Sequence, residues 1–331
     1  MILDLSSNRV KDFIILSAAF LIPALAAIYL PIISILAFLI IPVPLAILVR
    51  KLDTRYGLAS LVMSFFILYL ASGLQVAFSL VIQAGAMGIL LGLLFKNHVP
   101  SGRAIVTTVA FAVFIAVAML ALVFLTTGSN PFVLDDLDRA VFDQVKNDAM
   151  ALGGREGMDP ARVRDMEMLV TQMEAIWPVI ATSSIIIWVM VASFINYSLT
   201  RLAMARLGLT VPAAIPFSRW KLPWFVIWGV IAGLSFILMG DQAQTSGLKH
   251  AGQIILWVTG FVLTVLGASV AAFYFNKWKI SWPVKAAFIA GLVILAHITV
   301  IALITLGLTD SIFNIRRLSS DGRKPEEDDV K

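Results

Sequence analysis

Residues 104–127, AIVTTVAFAVFIAVAMLALVFLTT, string together twenty-four side chains without one charge. At ~1.5 Å per residue such a segment makes a helix of roughly 36 Å, enough to cross a hydrocarbon layer of about 30 Å. A helix on a water-soluble core would show a polar stripe, and this one has none. The stretch therefore predicts a transmembrane helix.

Eight further blocks of the same kind flank it. The nine predicted spans are 13–30, 32–49, 57–72, 74–95, 104–127, 176–198, 222–239, 251–275 and 283–308. Composition agrees: 60% of the residues are apolar and 14% charged, against about 45–50% and 25% in soluble domains. The fold class is an all-α, polytopic helical bundle of about nine spans, with eight as the alternative. Arg9 and Lys11 before Phe13 resemble the start of a signal peptide, but the block runs straight into Pro31 and a second apolar stretch, so it reads as a retained first span. Pro31 and Gly73 leave room only for tight turns after the first and third spans. The absence of cysteine removes disulfides, thiolate nucleophiles and cysteine-ligated metals.

Orientation follows from Lys and Arg, which accumulate in cytoplasmic loops. With the N-terminus inside, fourteen of them, including Arg50, Lys51, Arg201 and Lys221, fall in inside segments before the tail, and six fall outside. Five of those six lie in the loop 128–175, where ten acids give a net charge of −5 while the rest of the chain is +10. The +5 total thus reports membrane topology and not nucleic-acid binding. Nine crossings leave the tail outside, although Arg316 and Arg317 follow the last block closely. Block 283–308, interrupted by Gly291 and His297, is the one expected to be irregular.

Loop 128–175 reads as a helical hairpin on the outer face. Asn130-Pro131 and Asp159-Pro160 each set a capping residue before a proline suited to the first helical position. Gly153-Gly154 and Gly157 are expected to end the first helix and turn the chain. Phe132, Leu134, Leu137, Val141 and Val145 stripe the first helix, and Val163, Met166, Leu169, Val170, Met173 and Ile176 the second. The hairpin either packs on itself or the membrane, or serves as a lid or a partner's docking surface.

Polar side chains within the spans are few: Gln75, Gln83, Asn196, Gln253 and His297. Each is costly in lipid unless paired, so each is a ligand contact or a helix–helix hydrogen bonder. Gln83, Asn196 and His297 are the candidate ligand-binding residues, and Gln75 and Gln253, near span ends, read as structural. Ala84, Gly88 and Gly92 repeat every four residues, as do Gly229 and Gly233, a spacing that lets helix backbones approach. The chain has no phosphate-binding loop, no H-E-x-x-H, no G-x-S-x-G and no paired intramembrane aspartates. No catalytic residue, metal site or cofactor is expected, and the chain does not read as an enzyme.

The order of features resembles a known family. Pro31 closes the first span, Ile41-Pro42-Val43-Pro44 precedes a basic turn, Tyr56-Gly57 opens the third span and Lys96-Asn97 leaves the fourth. Lys221-Leu222-Pro223 enters the seventh span, and the last block ends Gly307-Leu308-Thr309-Asp310-Ser311-Ile312-Phe313-Asn314-Ile315-Arg316. Over nearly the whole chain this is similar to the YybS-like family of uncharacterised bacterial membrane proteins, itself distantly similar to the substrate-binding S components of energy-coupling-factor transporters. The resemblance implies a six-helix bundle over residues 1–198 that includes the 128–175 hairpin. Three further helices occupy 199–310, and 311–331 forms a polar, disordered tail. It also implies a bacterial inner-membrane protein with a cytoplasmic N-terminus that binds a small, mostly uncharged solute and works with separate coupling ATPase subunits. The other reading is a non-transporting scaffold, anchored in the bilayer, that docks a protein partner at the 128–175 hairpin or the 199–221 loop.

Overall fold

In the computed structural model, residues 7–128, 136–155, 160–222 and 224–318 are described, though not every side chain within them. Among these residues all regular structure is helical. Among the described residues, eight helical segments are long and apolar enough to cross a membrane. The protein is an all-α polytopic membrane protein.

The chain divides into two compact units, the first formed by Met1–Leu122 with Trp188–Ala214. Here α1 (Ser7–Tyr29) is followed by α2 (Pro31–Ile40) and α3 (Pro42–Lys51), which together make the second span. Pro42 and Pro44 lack amide hydrogens, which is why the span is jointed at Ile41. α4 (Thr54–Ser72) is capped by Asp53, whose carboxylate accepts the Thr54 amide at 2.7 Å and the Lys96 ammonium at 2.5 Å. These contacts hold the Asp53 carboxyl below its usual range, the Lys96 hydrogen bond most strongly. Gly73 at φ 82 turns the chain into α5 (Leu74–Leu80), a backbone state that glycine enters without strain. A π turn (Val81–Gly85) links α5 to α6 (Ala86–Lys96), and α7 (Ser101–Thr127) follows. Gly88 and Gly92 bring α6 against α3. A Cβ on Gly92 would lie 2.5 Å from that of Val49 and 2.9 Å from the Ala46 carbonyl. The core holds Phe20, Leu45, Leu48 and Leu68 in one cluster, and Leu91, Phe95, Tyr197 and Met204 in another.

The 128–175 region and the sixth span depart from the sequence reading. Asn130-Pro131, Gly157 and Asp159 lie outside the described residues. α8 (Asp136–Arg155) runs through Gly153 and Gly154, so these glycines do not end it. α9 starts at Pro160 and continues without interruption to Arg206, so the second hairpin helix and the sixth span are one rod of 47 residues, about 70 Å long. Pro178 lies at the start of the predicted sixth span, yet the helix continues through it. Lys146 bonds Glu174 at 2.5 Å and Phe142 meets Trp177 edge-on at 5.8 Å, tying α8 to α9. Glu174 raises the Lys146 ammonium above its usual value. Val141, Val145, Leu169, Met173 and Ile176 stay exposed.

The second unit comprises Val123–Ile187 and Ile215–Lys331. α10 (Ile227–Gln242) and α11 (Ser246–Lys277) form an antiparallel pair in which Gly229 meets Thr259 and Gly233 meets Leu256. Block 283–308 is not one helix. It breaks at Leu295 into α12 (Trp282–Ile294) and α13 (Ala296–Phe313). At 13 residues, roughly 20 Å, α12 is too short to cross the hydrocarbon.

The place where α13 ends decides the topology. α13 crosses α11 where Gly307 sits against the Leu263 carbonyl and the Gly267 amide. Past the crossing toward the C-terminus of α13, Asp310 binds Arg316, and Arg316 donates to Ser269 at 2.9 Å, past the same crossing toward the C-terminus of α11. The chain leaving α13 therefore lies beside Ser269, on the C-terminal half of α11. α12 brings the chain back between them, starting where Lys285 reaches Asn276 at the end of α11. The broken block thus enters and leaves at one end of the unit. Lys221 donates to the Leu318 carbonyl at 3.2 Å, which joins the chain leaving α13 to the 215–221 segment.

That join is a buried ion pair. The Arg316 and Asp310 side chains are 0% and 2% exposed. Arg316 reaches Asp310 at 2.7 Å and donates to the Ser218 carbonyl at 2.9 Å, the Trp220 carbonyl at 2.6 Å and Ser269. Removing one partner of such a pair strands a charge at a cost of about 3–5 kcal/mol. Arg316→Met is expected to lose about that much stability, read as the thermal midpoint in detergent, and adding Asp310→Leu should restore part of it. Because the native chain has no cysteine, Arg219→Cys and Ser320→Cys give clean topology probes. An impermeant maleimide is expected to label both from the same side of sealed vesicles.

Candidate functional site

The polar side chains of the first unit fall into two sets. Gln75 and Ser79 stand one turn apart on α5, and Gln83 lies in the π turn that follows. In an unbroken α-helix, at about 100° per residue, Gln83 would be rotated some 80° from Gln75. The wider π turn takes up part of that rotation, and such turns recur at functional sites. Gln75, Ser79 and Gln83 all line an open cleft of about 510 Å³, closed on the far side by Ala27 and Ile28 of α1 and Phe38 of α2. No lining residue is ionisable. The volume lies in the usual range for small-molecule pockets, and two amides and a hydroxyl amid aliphatic walls can exchange hydrogen bonds with a neutral polar ligand. Because uncompensated charge is disfavoured at such a site, the chemistry suits an uncharged solute.

Asn196 does not reach this cleft's lining. It belongs to a stripe on α9, with Ser193, Tyr197 and Thr200 at helical spacing, all buried. The Tyr197 ring stacks on Phe95 at 5.2 Å. Among the described residues, Asn196 Oδ1, Tyr197 Oη and Thr200 Oγ1 have no hydrogen-bond partner. The threonine hydroxyl can turn onto its own helix's carbonyl four residues back, but the Asn196 and Tyr197 oxygens project away from the backbone. The side chain of His297 lies outside the described residues, and its backbone opens α13 just after the break at Leu295. Gln253 is half-buried on α11.

Sequence reasoning thus singled out Gln83 but separated it from Gln75 and Ser79, which the structure brings to the same cleft. The 75–79–83 spacing was the available signal. Ala84, Gly88 and Gly92 face the interior of the first unit, and Gly229 and Gly233 face α11 in the second, each within this chain.

Comparison with known proteins gives two matches. The family described as "Predicted membrane protein (DUF2232)" matches residues 18–311. The "Uncharacterized protein YybS" of Bacillus subtilis (strain 168) is 25% identical over 311 residues, 91% of this chain and 95% of that protein. No solved structure matches.

The stripe on α9 yields a direct test. An unpaired buried polar group costs roughly 1–3 kcal/mol, while an apolar side chain of similar volume does not. Asn196→Leu is expected to raise stability by about 1 kcal/mol in thermal unfolding.

Proposed function

We propose, for a chain that belongs to the DUF2232 family of predicted membrane proteins, that it is the solute-binding subunit of a membrane transport assembly. The solute is small and uncharged, and it enters the cleft of Gln75, Ser79 and Gln83. The observation that carries this reading is that ladder of neutral polar groups set into an apolar wall on a segment long and apolar enough to cross a membrane. Amides and a hydroxyl recognise a ligand but offer no nucleophile, acid or base of suitable strength, so binding is favoured over catalysis. The sequence holds no nucleotide-binding motif, and separate coupling ATPase subunits would supply the energy. The resemblance to S components points the same way.

The proposed setting is a bacterial cytoplasmic membrane with the N-terminus inside. Eight crossings return the tail to the N-terminal side, so its five basic residues join the fourteen inside and only six of 25 remain outside. The misfit of Arg316 and Arg317 in a nine-span topology disappears. A second reading, a scaffold without transport, draws on the exposed Val141, Val145, Leu169, Met173 and Ile176, an apolar surface on the hairpin helices suited to a protein partner.

Native mass spectrometry of the gently extracted protein tests both. The expected result is a co-purifying neutral small molecule that disappears in the Gln75→Leu/Gln83→Leu double variant. Wild type without such a molecule, or a variant that keeps it, would sink the solute-binding reading, and a protein cross-linked through residues 136–176 would favour the scaffold.

A further inference from the structure

One end of the second unit concentrates cations and tryptophan. Segments 217–228, 276–285 and 311–318 contain Arg219, Lys221, Lys277, Lys279, Lys285 and Arg317 besides the paired Arg316, and no acid. They also hold five of the chain's eight tryptophans. The segments share one end because Ser269 of α11 donates to the Phe217 carbonyl at 2.6 Å, Arg316 binds the Ser218 and Trp220 carbonyls, and Lys285 meets Asn276. Trp224, Trp228, Trp278 and Trp282 are between 57% and 74% exposed, and Arg219, Lys221, Lys277, Lys279 and Arg317 are exposed as well.

We infer that this belt is a binding surface for the headgroups of anionic phospholipids. Two observations choose that occupant. Exposed indoles are stable where a polar headgroup layer meets hydrocarbon, since the ring is apolar and its N–H is a donor. Six cations, with no acid inside these three segments, complement a phosphate-bearing surface. The fold makes the site by returning the chain through α12 and α13. Had block 283–308 crossed, Arg317 would lie at the far end from Arg219 and Lys277. The Arg316–Asp310 pair therefore positions the belt without belonging to it. This inference is independent of the proposed solute cleft, which lies in the other unit.

The test uses the full chain in nanodiscs of phosphatidylcholine containing a minority of phosphatidylglycerol, with native mass spectrometry counting the lipids retained. About five-fold enrichment of phosphatidylglycerol over its share of the disc is expected, with loss of the enrichment in about 0.5 M salt. The Arg219→Gln/Lys277→Gln/Lys279→Gln variant should retain lipid at the bulk ratio while melting with wild type in phosphatidylcholine alone. Lys249→Gln, at the opposite end of α11 where Lys249 pairs with Asp241, should keep the enrichment. Bulk-ratio retention by wild type, or equal loss in Lys249→Gln, would overturn the inference. So would a preference that emerges only after removal of residues 319–331, since that would assign the belt to the chain's own acidic tail.

Discussion

In hydrocarbon no water is available to an unpaired peptide group, and every backbone N–H and C=O must find a partner inside the protein. This constraint orders the rest of the structure. It makes each span helical, and it confines departures from the α-helix to places where a partner or an exemption exists. At Ile41 the exemption is proline, which has no hydrogen to satisfy. At Val81–Gly85 the backbone bonds one residue further along, keeping its partners while changing which side chains share a face. After α13 the chain leaves the helix within reach of Arg316, whose guanidinium takes up the carbonyls of Ser218 and Trp220. Two of these irregularities sit beside the features with the most functional content.

The two units use close packing in the same way. Gly88 and Gly92 admit α3 to α6, and Gly267 and Gly307 admit α13 to α11. Lipid gives helices no hydrophobic reason to associate, so surface contact and buried polar pairs do the work that a water-driven core does elsewhere. The small-residue crossing at Gly267 and the contact of the Asp310–Arg316 pair with Ser269 fall on the same stretch of α11. The first brings the helices together, and the second joins the chain leaving α13 to Ser269 and to segment 218–220.

How far could the sequence be read? Helix class and span positions followed from uncharged runs such as 104–127, because insertion in lipid depends on local composition. The break at Leu295 did not, since Ile294, Leu295 and Ala296 are as apolar as their neighbours. Its trace was indirect, in Arg316 and Arg317 standing on the wrong side of a nine-span topology. Gly153 and Gly154 misled in the other sense. Helical backbone tolerates them there, and a turn signal two residues long did not outweigh the flanking helix formers. At the cleft, Gln83 stood out as a mid-span amide, while Gln75 looked like an ordinary end residue. The i, i+4, i+8 spacing through Ser79 relates the two in the sequence, whereas the π turn that tightens their alignment leaves no composition of its own in VIQAG.

The uninterrupted α9 has a mechanical consequence. The 47-residue helix carries the residues from Pro160 and the buried stripe at Ser193, Asn196, Tyr197 and Thr200 on one continuous backbone. Its single interior proline, Pro178, removes one hydrogen bond from the rod and gives it one compliant joint. A bend at that proline would change the angle between the segment that begins at Pro160 and the segment that carries the buried stripe.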